Sequence, residues 1–390
     1  MSVTAPRGFV AAGVACGIKA SGNLDLALVA TDDAAPVACA GVFTPNRAAA
    51  PSVQVSREHL RSSGGRAAAV VLSSGNANAA TGSRGRADVD TMCELVGAGL
   101  GVEPGAVLVA QTGLIGIPLP MDPVRRGIPA LVAARAPTAD AAAAAATAIM
   151  TTDTVRKESV VRGDGFTVGA MAKGAAMLAP AMATMLAVCT TDAVAGPAEL
   201  AAALRHAVDG SFNRMTVDGC MSTNDTVVVL ASGRSGVTPS PAALAAAVGQ
   251  ACGELAAAMV GDAEGATKVA HVVVQGAASD AEAYRAARQV ADSLLVKCSL
   301  NGEDPYWGRV VSELGAAPVA FDLDRVSVAY GGTTVCAGGV AADHDTEAVR
   351  AHMAGRSITI TCDLGLGPGQ AAVLTTDLGY GYIDENRGTS

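Results

Sequence analysis

The sequence predicts an α/β protein built from several packed layers, and three observations support this class. Short runs rich in Val and Ile alternate with Ala-rich helical runs along all 390 residues. Half of the residues are hydrophobic and only 3% are aromatic, so the predicted core consists of small aliphatic side chains. No repeat of about 20–50 residues occurs, which disfavours a solenoid or a propeller. At about 150 residues per domain, the length allows two to three domain-sized units or one large sandwich.

The predicted strands are spread over the whole chain and are rich in Val and Ile with partial alternation. They are residues 26–31, 68–73, 107–111, 167–171, 226–231, 269–275, 326–329, 358–362 and 371–375. Three loops that follow such runs, 73–78, 111–113 and 173–176, combine small and polar residues. Because α/β proteins usually place their chemistry at strand ends, these loops are candidate functional segments.

The predicted helices are residues 88–100, 138–149, 197–208, 241–259 and 280–296. Two of them have start signals with a physical basis. Ser240 precedes Pro241, a cap followed by a proline at the first helical position. Ser279 and Glu282 have the spacing of a capping box, in which each side chain satisfies a backbone N–H of the first turn.

Charge and cysteine content exclude several classes of protein. The chain has 36 acidic and 27 basic residues, a net charge of −9 and no Lys/Arg block, so nucleic acid is not an expected partner. Nine single Cys without a C-x-x-C pair predict free thiols and a cytoplasmic location. The apolar N-terminal stretch is interrupted by Gly and followed by Lys19, which disfavours a signal peptide.

Two charge-free windows, 104–121 and 174–191, have the length of a membrane span but not its content. The first contains three Pro, and the second has Pro180 at its middle and several Thr. We therefore expect buried segments of a soluble protein and no membrane partner.

The common cofactor and hydrolase motifs do not occur in the sequence. It has no phosphate-binding G-x-x-x-x-G-K-[ST] loop, no G-x-G-x-x-G at a strand-to-helix turn and no G-x-S-x-G elbow. Its five His form no cluster with zinc-ligand spacing, and the adjacent His344 and Asp345 are more typical of a solvated loop. The sequence predicts no metal site.

The most distinctive segment is residues 171–193, MAKGAAMLAPAMATMLAVCTTDA. Taken alone, Thr184 in this apolar run would be a core residue whose hydroxyl bonds to the backbone. However, the segment resembles the self-cleavage site of the ornithine acetyltransferases (glutamate N-acetyltransferases) of arginine biosynthesis, which reads approximately K-G-x-G-M-x-x-P-x-x-A-T-M-L…T-T-D-A. Further segments similar to that family occur in order along the chain: GIK at 17–19, FTPN at 43–46, SGNAN at 74–78, TGLIG at 112–116, IMTTD at 149–153, STNDT at 222–226, DAEG at 262–265, DP at 304–305, WGR at 307–309 and EN at 385–386.

The resemblance implies that the chain cuts itself between Ala183 and Thr184, into an α chain of residues 1–183 and a β chain of residues 184–390. A threonine hydroxyl is a weak nucleophile unless a base lies beside it. An N-terminal threonine has such a base in its own α-amino group, whose pKa is about 7.7–8.0. The implied cleavage would therefore create the active site.

The implied reaction is ping-pong acyl transfer. Thr184 takes the acetyl group from N2-acetylornithine as an ester, ornithine leaves, and glutamate then receives the acetyl group. Each half passes through a tetrahedral oxyanion, for which preplaced donors contribute about 3–4 kcal/mol each. By resemblance these donors are Thr112 and Gly113, although a simple turn is the alternative for that pair. The family needs no cofactor, and some members also accept acetyl-CoA, an alternative that the sequence leaves open.

The resemblance also implies a set of substrate-binding residues: Thr151, Lys173, Thr184, Glu264, Asn386 and Ser390. Lys173 can pair with a carboxylate and Glu264 with an ammonium group, and a site for both substrates needs both charges. Without the resemblance, a single Lys or Glu would be a solvated surface residue. Between Thr151 and Thr152, we favour Thr151 as the substrate contact.

The implied fold is the layered α/β sandwich of this family, which is N-terminal-nucleophile-like, with intertwined α and β chains assembled as (αβ)2 or a higher oligomer. Two alternatives remain open: a related self-processing aminopeptidase or amidase that uses water as acceptor, and an uncleaved amino-acid-binding protein. One departure from the family pattern favours the latter. Ala176 stands where the family has Gly, and it would strain the backbone and slow self-cleavage if its φ were positive.

Overall fold

The computed structural model describes residues 2–177 and 185–387, which group into two compact units. The first consists of the described parts of Met1–Asn213 and Cys220–Met259, and the second of Arg214–Gly219 and the described part of Val260–Thr389. Both units combine sheets with helices, so the predicted α/β class is confirmed. The first unit contains segments from both sides of residue 184, and its borders therefore differ from those of the predicted cleavage products.

The described elements, numbered in chain order, are as follows. The strands are β1 (Phe9–Val14), β2 (Leu26–Thr31), β3 (Val37–Phe43), β4 (Arg66–Ala67), β5 (Ala69–Asn76), β6 (Val107–Leu114), β7 (Lys157–Arg162), β8 (Thr167–Lys173), β9 (Leu186–Thr191), β10 (Met215–Thr216), β11 (Thr226–Ala231), β12 (Val269–Ala277), β13 (Ser327–Tyr330), β14 (Thr333–Ala337), β15 (Val340–Ala341), β16 (Ser357–Asp363) and β17 (Gly369–Thr376). The helices are α1 (Pro51–Ser62), α2 (Gly82–Leu100), α3 (Met121–Ala133), α4 (Ala139–Ala148), α5 (Pro197–Gly210), α6 (Pro241–Gly261), α7 (Asp280–Asp292), α8 (Leu294–Asn301), α9 (Trp307–Ala316), α10 (Thr346–Ala354) and α11 (Tyr380–Glu385). Short 3-10 helices lie at Pro104–Ala106, Phe212–Arg214 and Leu323–Arg325.

The first unit is a sandwich in which two sheets share one core. One sheet has the order β1-β2-β5-β6 and the other β4-β3-β11-β9-β8-β7. Alternation along the strands separates the two faces of the first sheet: on β2, Ala27 and Val29 face the core shared with the second sheet, whereas Leu26 and Leu28 pack with α2 and α3. Leu186 and Val188 of β9 fill the shared core from the second sheet. Small aliphatic residues thus form the layers, as the composition predicts.

The second sheet joins segments from both sides of the predicted cleavage point. β9 and β11, which follow residue 184, are adjacent and parallel, and they lie between β8 on one side and β3 on the other. The two predicted chains therefore share one hydrogen-bonded sheet, which is the intertwined arrangement that the resemblance implies. The second unit has its own sheet, in the order β10-β17-β12-β16-β13-β14-β15, with α7 and α9 packed against it.

All nine predicted strands are present, two with their predicted bounds and the others with ends that differ by at most three residues. Of the five predicted helices, three occur close to their predicted bounds, whereas α2 begins at Gly82, six residues before its predicted start at 88. Both serine caps are present, because Ser240 Oγ accepts from the Ala243 amide and Ser279 Oγ from the Glu282 amide. The second half of the predicted capping box is replaced by another contact, since the Glu282 carboxylate accepts from the Ala320 amide. The fifth prediction, one helix over 280–296, is wrong. The backbone at Ser293 is extended, and the Ser293 hydroxyl caps a new helix, α8, by accepting from the Val296 amide.

Several described elements were not predicted, because their local sequence signals disfavour the observed structure or do not distinguish it from another. α3 contains Pro129 in its interior, a position that costs a helix about 3 kcal/mol, and it is stabilised by burial of Val124, Ile128 and Leu131. α1 begins without a side-chain cap, which removes the usual start signal. β9 lies in the second charge-free window, which reads equally well as a buried helix.

Neither charge-free window is a described membrane-length helix, since the first contains β6 and the described part of the second contains β9. Another helix, α6, is 21 residues long and apolar enough by length and composition to span a bilayer. Half of its most apolar window is buried, and the core helix of a soluble protein passes the same test.

Candidate active site

The predicted oxyanion residues lie at the carboxyl end of β6, beside its parallel neighbour β5. Thr112 is buried, and Gly113 has a φ of +131°, a conformation that L side chains rarely adopt. A Cβ at Gly113 would stand 2.3 Å from the Gly75 carbonyl carbon and 2.4 Å from the Asn76 nitrogen. The position therefore requires glycine, because the β5 backbone leaves no room for a side chain.

A buried asparagine fixes this strand end from the second sheet. The Asn224 side-chain amide donates to the Gln111 carbonyl oxygen at 2.9 Å and to the Ala77 carbonyl oxygen at 2.7 Å. Asn224 lines a small cleft together with Ala77, Thr112, Gly113, Ile115, Met177, Ser222 and Thr223. This asparagine belongs to the STNDT segment at 222–226 and was not predicted as a site residue.

Lys173, at the end of β8, connects the oxyanion residues to a buried carboxylate. Its Nζ donates to Thr112 Oγ1 at 3.4 Å and lies 3.9 Å from Asp153 Oδ2. Because Lys173 Nζ is only a donor, Thr112 Oγ1 accepts in that contact, and its own proton can be directed to another oxygen. Lys173 pairs in register with Leu186 of β9, the second residue after Thr184.

Asp153 organises the cluster through both carboxylate oxygens. Oδ1 accepts from Lys157 Nζ at 2.6 Å and from the Gly174 amide at 2.7 Å, and Oδ2 accepts from the Thr151 amide at 3.0 Å. Burial alone would raise the pKa of Asp153, but the ammonium groups of Lys173 and Lys157 outweigh burial and lower it. Asp153 therefore stays ionised at neutral pH.

Lys19 binds the loop that precedes Asp153. Its ammonium group donates to the carbonyl oxygens of Leu24 at 2.8 Å and Met150 at 2.7 Å. Burial lowers the pKa of Lys19, and the positive charge of Lys173 adds to this effect, whereas Asp25 opposes it. Thr151 is half-buried in this loop and Thr152 is exposed.

A second buried carboxyl group lies at the start of β9. Asp225 Oδ1 accepts from the Met185 amide at 2.9 Å, and the side chain is fully buried. Burial raises the pKa of Asp225 well above its usual value, although the Met185 amide, Ser222 and Lys173 each lower it in part. Asp153 and Asp225 were not predicted as site residues. Their signal in the sequence is a charged residue inside a short polar segment of a chain with few charges.

The remaining described site residues belong to the second unit. Asn386, exposed just after α11, donates its Nδ2 to Glu264 Oε2 at 2.8 Å. A Cβ at Gly265 would stand 2.1 Å from the backbone of Gly381 and Tyr382, so the DAEG segment packs closely on α11. Glu264 and Asn386 thus form a cluster of their own, whereas Thr112, Gly113, Thr151 and Lys173 form one in the first unit.

Three predicted residues, Ala183, Thr184 and Ser390, lie outside the described residues. On the near side of the cleavage point, the left-handed conformation falls on Met177, with a φ of +52°, and not on Ala176. The conditional expectation of strain at Ala176 is therefore not met.

Comparison with known proteins identifies the class to which this fold and site belong. A model of the ArgJ family matches residues 10–388, and the chain belongs to that family. It is 49% identical to the arginine biosynthesis bifunctional protein ArgJ of Mycolicibacterium paratuberculosis, over 98% of this chain and 95% of that protein. The corresponding protein of Thermobifida fusca is 46% identical over 99% of both chains.

A solved structure of ornithine acetyltransferase complexed with ornithine, from Mycobacterium tuberculosis, is 41% identical. It covers 47% of this chain and 96% of its own, with a TM-score of 0.42. Given its family, this chain is an acyltransferase of arginine biosynthesis.

Proposed function

We propose that the chain cuts itself between Ala183 and Thr184 and then transfers the acetyl group of N2-acetylornithine to glutamate by a ping-pong mechanism through acetyl-Thr184. The observation that carries the proposal is the contact of buried Lys173 with Thr112, because Lys173 also pairs in register with Leu186, the second residue after Thr184. The pair supplies a cation and an oxyanion donor near the covalent neighbours of Thr184.

Self-cleavage begins when the Thr184 hydroxyl attacks the Ala183 carbonyl carbon. The peptide C–N bond breaks as the acyl group moves to the threonine oxygen, and the nitrogen leaves as the α-amino group. Water then hydrolyses the ester, which gives an Ala183 carboxylate and an N-terminal Thr184. The new amine is the base that the threonine hydroxyl needs.

In the first half of the cycle, the α-amino group takes the hydroxyl proton while the oxygen attacks the acetyl carbonyl. Thr112 and Gly113 donate hydrogen bonds to the resulting oxyanion, and the proton passes to the departing nitrogen of ornithine. In the second half, the amine of glutamate attacks the acetyl ester. The Thr184 oxygen leaves and is reprotonated, and N-acetylglutamate is released.

Charge complementarity supports the proposed substrate contacts. Lys173, kept beside Asp153, offers a buried cation for a substrate carboxylate, and Glu264 offers an anion for the side-chain ammonium of ornithine. Thr151, Asn386 and Ser390 complete the proposed binding set. Acetyl-CoA as a second donor, an (αβ)2 or higher assembly and a cytoplasmic location belong to the same proposal through the family resemblance.

The test is Thr184→Ala, with Thr147→Ala as the matched control. Thr147 lies in α4, and its hydroxyl donates to the Ala143 carbonyl oxygen at 2.8 Å. We expect the parent and Thr147→Ala to yield fragments 1–183 and 184–390 by intact mass, and Thr184→Ala to remain one chain without transferase activity. Parental transfer by Thr184→Ala would reject the nucleophile.

The acyl-enzyme is tested on the cut parent. Incubation with N2-acetylornithine and no glutamate should add one acetyl group to the fragment that begins at Thr184, and glutamate should remove it. If hydrolysis of the acetyl ester to acetate is faster than transfer of the acetyl group to glutamate, the aminopeptidase or amidase alternative is favoured instead.

A further inference from the structure

Asp225 has one carboxylate oxygen in use and one without a partner. Oδ1 accepts from the Met185 amide at 2.9 Å, whereas Oδ2 is buried and makes no hydrogen bond in the described part of the chain. A buried polar atom without a partner costs free energy, and its persistence calls for an explanation. Here the carboxyl group is held in place by the sheet, since Thr226 pairs with Leu186 in the β9–β11 register.

Covalent geometry limits the distance between the Met185 nitrogen, which Asp225 binds, and the amino group that cleavage would create. The nitrogen of residue 184 is three bonds from the Met185 nitrogen, so the two nitrogens are separated by at most about 3.7 Å. Asp225 Oδ1 is already hydrogen-bonded to the Met185 nitrogen. The nitrogen of residue 184 is therefore a candidate partner for Asp225 Oδ2.

The charge balance points the same way. Burial raises the pKa of Asp225, and Lys173 is the charged side chain that lowers it in part. In the uncut chain the nitrogen of residue 184 is a neutral amide. Cleavage would convert that nitrogen into an ammonium group, which would stabilise the buried carboxylate.

We propose that Asp225 is a positioning residue: in the cut chain, its Oδ2 accepts a hydrogen bond from the α-amino group of Thr184 and directs the amine lone pair toward the threonine hydroxyl. The inference rests on the proposed function, because it requires an N-terminal Thr184. The carboxylate gains and loses no proton in the cycle. The amine takes the hydroxyl proton and passes it to the leaving nitrogen, and Asp225 stabilises the ammonium form between these steps, as the aspartate of a Ser-His-Asp triad does for its histidine.

The substitution Asp225→Asn tests this role with little change of shape. The Met185 amide requires an acceptor, so the asparagine carbonyl oxygen takes the place of Oδ1 and the NH2 group takes the place of Oδ2. The α-amino group would then face a donor instead of an acceptor. We expect kcat per cut chain to fall at least about ten-fold, because the amine is misdirected.

The pH profile separates positioning from a purely structural effect. An ionised carboxylate raises the pKa of the neighbouring ammonium group, so its removal should move the acidic limb of kcat/KM to lower pH by about one unit. The control is Asp192→Asn, a buried aspartate of the same unit whose Oδ1 accepts from the Thr167 amide at 2.8 Å. The control should keep the parental limb and the parental kcat per cut chain.

The possible outcomes separate the two proposals. A parent that is uncut or transfers no acetyl group contradicts the proposed function itself. If the parent is cut and active, and Asp225→Asn has the parental kcat and the parental acidic limb of the kcat/KM profile, only the role of Asp225 is overturned. An Asp225→Asn chain that folds but stays uncut, while Asp192→Asn is cut, also overturns it, because the carboxylate would then be needed before an amine exists.

A second variant covers the case in which Asp225→Asn melts well below the control. Asp225→Ala is then assayed with and without formate, which supplies a carboxylate of the right size. Recovery of kcat that depends on formate supports the proposal. A kcat that formate does not raise, whether parental or low, contradicts it.

Discussion

Lys157 and Lys173 of the first unit and Lys297 of the second unit are almost completely buried, and their surroundings differ. In the first unit, Lys157 and Lys173 share the buried carboxylate of Asp153, whose pKa they lower. In the second unit, the ammonium group of Lys297 donates to the Thr375 hydroxyl and, at 3.2 Å, to the Thr376 carbonyl oxygen. Burial lowers the pKa of Lys297 to about 8, since these neutral acceptors and more distant charges do not compensate for lost water.

The comparison teaches where a buried charge is useful. A lysine with a buried counter-charge remains charged at neutral pH and can hold a substrate carboxylate, as proposed for Lys173. A lysine that meets only neutral oxygens ties elements together, here α8 to β17, at a cost in stability. The first arrangement is suited to chemistry and the second to architecture.

Removal of Asp153 should have the largest effect on this difference. Asp153→Asn removes the buried carboxylate that Lys157 and Lys173 share and sets an NH2 group against the donors around it. We expect a loss of about 3–5 kcal/mol in the free energy of unfolding at pH 7, measured in urea, and loss of transferase activity. Because the pKa of Asp153 is lowered in the folded state, this contribution is present above the unfolded pKa of about 3.9 and disappears as the pH falls through the folded pKa.

The matched control for Asp153→Asn is again Asp192→Asn, which removes a buried acceptor but no partner of a buried lysine. The ion pair of Asp192 is with Arg7, whose side chain is 64% exposed and can return to water. A loss of about 1–2 kcal/mol is expected for it. Equal losses for the two variants would contradict the importance of the buried lysines.

A smaller effect is expected from the pH dependence of Lys297. The unfolded state holds this proton up to a pKa of about 10.4, whereas the folded state releases it near 8, so stability should rise between these values. From pH 7.5 to 9.5 the gain attributable to Lys297 is about 2 kcal/mol. Lys297→Met, which keeps the apolar stem, should lose this part of the rise in urea unfolding. An identical rise in parent and variant would reject the assignment.

The smallest structural effect is expected at the exposed cluster of the second unit. Glu264→Gln preserves an acceptor for Asn386, so the free energy of unfolding should change by less than about 0.5 kcal/mol. KM for N2-acetylornithine should rise about ten-fold, because a charge-assisted hydrogen bond to the ammonium group is lost. Glu347→Gln, which removes an equal charge from a side chain that is 79% exposed, should leave KM unchanged. A parental KM in Glu264→Gln would remove this residue from the binding set.

Strong local patterns made much of the fold predictable. The nine predicted strands are all present, because runs of Val and Ile with small neighbours fit the interior of a layered sheet. α3 and the break at Ser293 were missed. Proline inside α3 argues against a helix locally, and only the burial of its apolar face outweighs that cost.

The site was predictable only through the resemblance to a family. Nothing in the residue pattern by itself distinguishes Lys173 from a solvated lysine or Thr112 from a turn residue. Asp153 and Asp225 were missed for the same reason. A carboxylate becomes informative when its partners are known, and those partners come from strands that are distant in sequence.

The sequence by itself determined the α/β class and the family, and it pointed to the threonine proposed as the nucleophile, because these depend on local order and composition. Only the tertiary structure decided which charges are compensated. It packed the two sheets of the first unit on each other, so that Lys173 of β8 meets Thr112 of β6, and it placed β11 beside β9, so that Asp225 meets the Met185 amide. The physical reason is that electrostatic interactions and the cost of burial depend on distances between atoms in space, and residues far apart in a sequence acquire such distances only through the pairing of the sheet.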